Sequence, residues 1–145
     1  MALWYADQRA MADTTTQPPK TVLVVEDDPD VQAVIVGALQ EAGYRVLSAR
    51  SGVEALRLAR SESPDAITLD LLLPVMTGEE VLRRLEQDEW GRQIPIVVVS
   101  AYTRRLAPNH RIARILPKPF DIAELLDDVA AAIDARASQP SKVAE

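Results

Sequence analysis

The sequence predicts an α/β domain built on a doubly wound parallel sheet of five strands. Three observations predict it. Short β-branched runs alternate with stretches of helical periodicity along the middle of the chain. Several of those runs are continuously apolar, as strands buried on both faces must be. Polar residues recur just beyond the runs, where sheets of this kind collect their functional groups.

Thr21–Val25 is the first strand, ending in acids. Pro29 opens a helix at its first turn. Val31, Val34, Ile35, Ala38, Leu39 and Ala42 follow at helical spacing, with Gly43 as the stop. Residues 44–49 read as a second strand and 52–60 as a helix with Ala55, Leu56 and Ala59 inward. Pro64 and Asp65 break the chain before a buried third strand at 66–70. The next helix spans 79–89 and turns Val81, Leu82 and Leu85 inward. Residues 95–100 form the fourth strand and 113–117 a short fifth. Asp121 caps a last helix that carries Ile122, Leu125, Leu126, Val129 and Ile133 inward. Polar, proline-bearing stretches at either end read as flexible tails, residues 1–18 and 138–145, around one domain at 19–137. Met11 offers an alternative start to Met1.

Composition narrows the chemistry. The 145 residues suit one domain, and 48% hydrophobic with 26% charged residues is a soluble balance. There is no cysteine and only one histidine, His110, so any metal must be held by oxygen, which points to Mg²⁺ or a similar hard cation. A net charge of −6 argues against direct nucleic-acid binding. No apolar run approaches the ~20 residues that cross a bilayer, and no secretory leader is visible, so the expected location is cytoplasmic without membrane insertion.

The topology converts sequence position into a site. Glu26 and Asp27 follow the first strand, Asp70 ends the third, Ser100 ends the fourth and Lys118 follows the fifth. Three carboxylates at one edge repel one another, and a divalent cation resolves the conflict. A cation beside a carboxylate, faced by a lysine and a hydroxyl, is a phosphoryl site. Each residue alone has a blander reading, as a helix cap, a loop acid or an exposed turn. Jointly those readings require polar residues at four strand ends by chance.

Val24-Val25-Glu26-Asp27-Asp28-Pro29, Asp70-Leu71-Leu72-Leu73-Pro74-Val75-Met76-Thr77-Gly78, Val99-Ser100-Ala101 and Leu116-Pro117-Lys118-Pro119-Phe120 resemble the receiver domains of two-component response regulators, of the stand-alone, single-domain type. The resemblance covers roughly residues 20–136. It implies a flavodoxin-like sheet in the order 2-1-3-4-5. It also implies that Asp70 is the phosphoacceptor and that Asp27 ligates Mg²⁺ directly. Glu26 would act through water, and the Leu72 main-chain carbonyl would complete the protein ligands. Ser100 and Lys118 would hold the phosphoryl group, and Pro119 would match a cis-proline position. The implied partners are a sensor histidine kinase or histidine phosphotransfer protein upstream and a protein effector downstream. The domain would catalyse only its own phosphorylation and dephosphorylation. A hydrolase using an aspartyl-phosphate would want an acid two residues after its nucleophile, where this chain has Leu72. An idle pseudo-receiver is at odds with the intact set of five polar residues.

Two departures stand out. Ile115 occupies a position that is usually Tyr or Phe. The stretch from Ser100 to Lys118 is short by roughly one turn, ~4 residues, and contains Pro108, which predicts a shortened or irregular fourth helix. Phosphorylation is therefore expected to order residues 101–112 in place of swinging an aromatic ring. Arg104, Arg105, Arg111 and Arg114, with His110, gather there and read as a solvated loop before they read as a docking patch for an acidic partner.

Overall fold

The computed structural model describes residues 17–102, 106 and 112–138. Five parallel strands lie in the order β2-β1-β3-β4-β5: β1 is Thr21–Val25, β2 Arg45–Ala49, β3 Ala66–Leu69, β4 Ile96–Ser100 and β5 Ile112–Pro117. The helices are α1 (Pro29–Glu41), α2 (Gly52–Glu62), α3 (Gly78–Glu86), the single turn α4 (Glu89–Arg92) and α5 (Ile122–Ser138). None is long and apolar enough to cross a membrane.

The three central strands are buried along their whole length, as their mostly apolar, β-branched runs lead one to expect. Alternate residues supply two cores. Leu23, Val25, Ile67, Leu69, Ile96 and Val98 face α2 and α3, meeting Ala55, Ala59, Val81 and Leu85. Val22, Val24, Val97, Val99 and Leu116 face α1 and α5, meeting Ile35, Leu39, Leu125, Val129 and Ile133. Helices therefore cover both faces. At β4–β5 the register shifts between Ile96 and Val97, so Ala113 bulges out of the ladder.

Local chemistry fixes the element ends. Asp28 caps α1 by accepting from the Asp30 and Val31 amides at 2.8 and 3.2 Å, with Pro29 in the first turn. Gly43 takes a φ of 99° just past the helix, a turn that a side chain would resist. Asp65 accepts from the Thr21 amide at 2.8 Å and so pins the start of β1 beside β3.

Four expectations need correction. Ile122 is exposed, because it opens α5 a turn before Leu125, the first residue of that helix to be buried. Val34 is exposed, because it lies one step of about 100° round the helix from Ile35, outside the stripe centred on Ile35 and Leu39. Ala42 is exposed because α1 ends at Glu41. The helix expected over 79–89 stops at Glu86, and a separate turn, α4, follows it. The expected irregular fourth helix and the basic loop lie largely outside the described residues, as do most of both tails. Of the basic group, Arg114 is described; it is exposed and pairs with Asp128 at 3.6 Å.

Candidate functional site

The sheet register brings the predicted residues together. Val25, Leu69 and Val98 lie side by side, so the chain emerges from β1 at Glu26, from β3 at Asp70 and from β4 near Ser100. The Lys118 amide donates to the Ser100 carbonyl at 3.1 Å, which seats Lys118 at the same edge. The peptide bond between Lys118 and Pro119 is cis.

Asp70 is buried and fully engaged. Its Oδ1 accepts from the Ser100 hydroxyl at 2.7 Å and from the Leu72 amide at 3.1 Å, and its Oδ2 accepts from Lys118 Nζ at 3.1 Å. Ser100 is buried too, and its Oγ accepts from the Leu71 and Tyr102 amides at 3.4 and 3.2 Å, so the hydroxyl is aimed. Lys118 also donates to Glu26 Oε1 at 2.8 Å, while Glu26 Oε2 accepts from the Asp28 amide at 3.2 Å. The ammonium therefore bridges two buried carboxylates.

Electrostatics follow from that bridge. Burial pushes the Glu26 carboxyl above the usual carboxylate range; the Lys118 hydrogen bond opposes the shift and the nearby Asp70 carboxylate adds to it. Burial alone would lower the Lys118 pKa, but the hydrogen bonds to Glu26 and Asp70 outweigh it and hold the ammonium above its ordinary value. Lys118 is thus a fixed cation. Asp27 is exposed at the rim, yet carboxylate oxygens of Glu26, Asp27 and Asp70 all lie within 4.8 Å of one another. Three converging carboxylate oxygens fit a hard divalent cation.

The loop after β3 brings the start of α3 tightly against the backbone of Asp70. The Gly78 amide donates to the Leu71 carbonyl at 2.9 Å, and a Cβ at Gly78 would run into the Asp70 carbonyl oxygen and lie 2.6 Å from Leu71 Cα. Only glycine lets α3 start so close to the acid. At the loop's tip Val75 is fully exposed with a φ of 66°, a costly conformation for a β-branched residue. Leu72 is 55% exposed and Tyr102 39% exposed; their amides bond to Asp70 and Ser100, so both border the mouth of the site.

Every site residue predicted from sequence lies at this edge. Two features were missed. The pairing of Lys118 with Glu26 joins residues 92 positions apart, and no local pattern announces it. The other is Gln32, for which the sequence carries one signal, a polar residue about 60° round α1 from Ile35 and within the inward arc.

Comparison with known proteins fits this geometry. The sequence model of the response regulator receiver domain matches residues 22–130. The chain belongs to the response regulator receiver family. It is 38% identical over 143 residues to the transcriptional regulatory protein PrrA of Mycobacterium tuberculosis, covering 92% of this chain but 58% of PrrA. It therefore spans little more than half of that curated relative. It is 37% identical over 116 residues to the polar-differentiation response regulator DivK of Brucella anthropi, covering 77% of this chain and 94% of DivK. Among solved structures, the receiver domain of sensor histidine kinase PA1611 from Pseudomonas aeruginosa, described with a magnesium ion coordinated in its active site cleft, superposes with a TM-score of 0.71. The two are 34% identical, over 80% of this chain and 98% of that one. The chemotaxis response regulator CheY4 of Vibrio cholerae gives 0.70 at 29% identity, over 79% and 98%. This receiver domain thus belongs to two-component signalling. Receiver domains are signalling domains, not classical enzymes, and the acidic cluster here suits an Mg²⁺-binding phosphoacceptor site.

Proposed function

We propose that this receiver domain accepts a phosphoryl group on Asp70 from a phosphohistidine of a sensor kinase or phosphotransfer protein, and that the modification switches a protein-binding surface. The observation that carries the reading is the environment of Asp70: a hydroxyl at 2.7 Å, an ammonium at 3.1 Å and two further carboxylates converging on it. An Asp70 carboxylate oxygen attacks phosphorus, the P–N bond to the donor imidazole breaks, and the imidazole leaves with the electron pair. Asp27, Asp70 and the Leu72 main-chain carbonyl would hold Mg²⁺, with Glu26 acting through water. A cation bound there would supply charge neutralisation for the phosphoryl oxygens. Ser100 donates a hydrogen bond to one phosphoryl oxygen and Lys118 pairs with another. Both already contact Asp70, so little reorganisation separates the resting and reacting geometries. We place the domain at 19–137, in the cytoplasm, acting through a protein effector.

Acetyl phosphate with Mg²⁺ tests this. Intact-mass spectrometry should show one added phosphoryl group on a fraction of the protein, absent without Mg²⁺ and absent in Asp70→Asn. Undiminished labelling at another residue of the folded native protein would overturn the assignment.

A further inference from the structure

The acid pair at the end of β1 has a support outside the predicted set. The β1 ladder ends at Val25, so the Glu26 carbonyl lies beyond its last strand partner. That carbonyl accepts from Gln32 Nε2 at 3.2 Å. The same nitrogen donates to the Ala49 carbonyl, also at 3.2 Å, and Ala49 in turn accepts from the Glu26 amide at 3.0 Å. One side-chain amide therefore spends both hydrogens tying the ends of β1 and β2 together. Gln32 reaches them because helical side chains lean toward the N-terminus of their helix, here toward the sheet edge.

A peptide unit is planar, so the Glu26 carbonyl and the Asp27 amide move as one body. A donor that fixes that carbonyl fixes the origin of the Asp27 side chain on one side. On the other it fixes the backbone from which Glu26 reaches Lys118 and the Asp28 amide. Asp27 is exposed, which makes the position of its backbone matter more.

We infer that Gln32 is a positioning residue for the cation site: its paired hydrogen bonds to the Glu26 and Ala49 carbonyls hold Glu26 and Asp27 in the geometry that lets them converge with Asp70. The inference rests on the proposed reading of the site as an Mg²⁺ site. Residues that orient a metal's ligands typically contribute 10–100-fold to its affinity. Gln32 touches neither ligand carboxylate and acts through the main chain alone.

The test compares native protein with Gln32→Met, which keeps the shape and removes both donors. Gln32→Asn, which withdraws the amide by one methylene, carries the comparison if the Met variant fails to fold. Mg²⁺ affinity is measured by calorimetry, and the Glu26 and Asp27 amide resonances are followed in metal-free protein. The expected result is about a tenfold weaker Mg²⁺ affinity, with both amides shifted before any metal is added, at a temperature where the variant is fully folded. Native affinity in a folded variant overturns the inference and leaves the proposed function standing. If native protein binds no Mg²⁺, the reading of the site fails and the inference with it. Weakened binding with unmoved Glu26 and Asp27 resonances also overturns it, because the effect would then not run through their backbone.

Discussion

Lys118 stands between two carboxylates that are both nearly shut off from water. Removing it leaves like charges facing each other without a counter-charge, which costs several kcal/mol when burial is complete. Lys118 itself keeps 20% of its side chain exposed, so the cost is smaller. Lys118→Met should lower stability to urea by roughly 2–3 kcal/mol. Adding Asp70→Asn to that variant should restore part of the loss, because one of the opposed charges is gone. If the double variant is no more stable than Lys118→Met alone, carboxylate repulsion is not the cause. Leu72 and Tyr102 bear on a different property of the proposed reaction. Family resemblance places these two positions beside the path of the water that hydrolyses the aspartyl-phosphate. Neither offers a carboxylate or amide to orient it, and both border the mouth of the site. The phosphorylated native protein should therefore outlast a Leu72→Asn, Tyr102→Glu variant in a chase monitored by intact mass. Equal lifetimes would reject a role for the two side chains.

At the scale of elements, two glycines make opposite predictions. Gly37 lies inside α1 with open space around the position a Cβ would take. Gly37→Ala should stabilise the domain by about 0.5–1 kcal/mol, through backbone entropy alone. Gly78 opens α3 against the backbone of Asp70 and Leu71, which cannot step aside as a flexible side chain would. Gly78→Ala should cost about 1–3 kcal/mol and, if Asp70 is the acceptor as proposed, slow phosphorylation as well, since the displaced backbone carries Asp70. Thermal melts of the two variants on either side of native check the contrast. Elements were legible in the sequence where burial was one-sided or total. The mostly apolar, β-branched runs of β1, β3 and β4 suit central strands, and Asp28-Pro29 suits the opening of a helix. The single turn α4 was not legible, because four residues are too few to show a period. Val34 misled because an apolar residue on an exposed helix flank is common.

For the whole molecule, alternation of strand and helix made the architecture readable, and the rule that sites gather at the carboxyl ends of parallel strands made Glu26, Asp27, Asp70, Ser100 and Lys118 readable with it. What the rule cannot supply is partner choice among groups delivered to the same edge. Hence the Lys118–Glu26 bridge and the Gln32 brace appear only in three dimensions. Tertiary packing also links the fold to pH at a place away from the proposed phosphoacceptor. Tyr44 packs against the core under α1 and α5; burial, with the Asp134 carboxylate nearby, raises its pKa above 10.0. As pH climbs past the ordinary value the unfolded chain ionises first and binds fewer protons than the native state, so stability falls between that value and the higher native one. Stability contributed by the neutral phenol is complete below pH 10 and is lost above it. Tyr44→Phe should flatten the decline in urea midpoint over that alkaline range. An unchanged slope would show that Tyr44 ionises alike in both states.

The lysine that bridges Glu26 and Asp70 also bears on the order in which the protein comes into being. A polypeptide leaving the ribosome carries this ammonium with it, whatever the ionic content of its surroundings. It can neutralise its own acids while the sheet closes and reach its mature shape before it has met a divalent ion. On the proposed reading of the site, scarcity of magnesium would then delay phosphorylation without wasting the newly made chain.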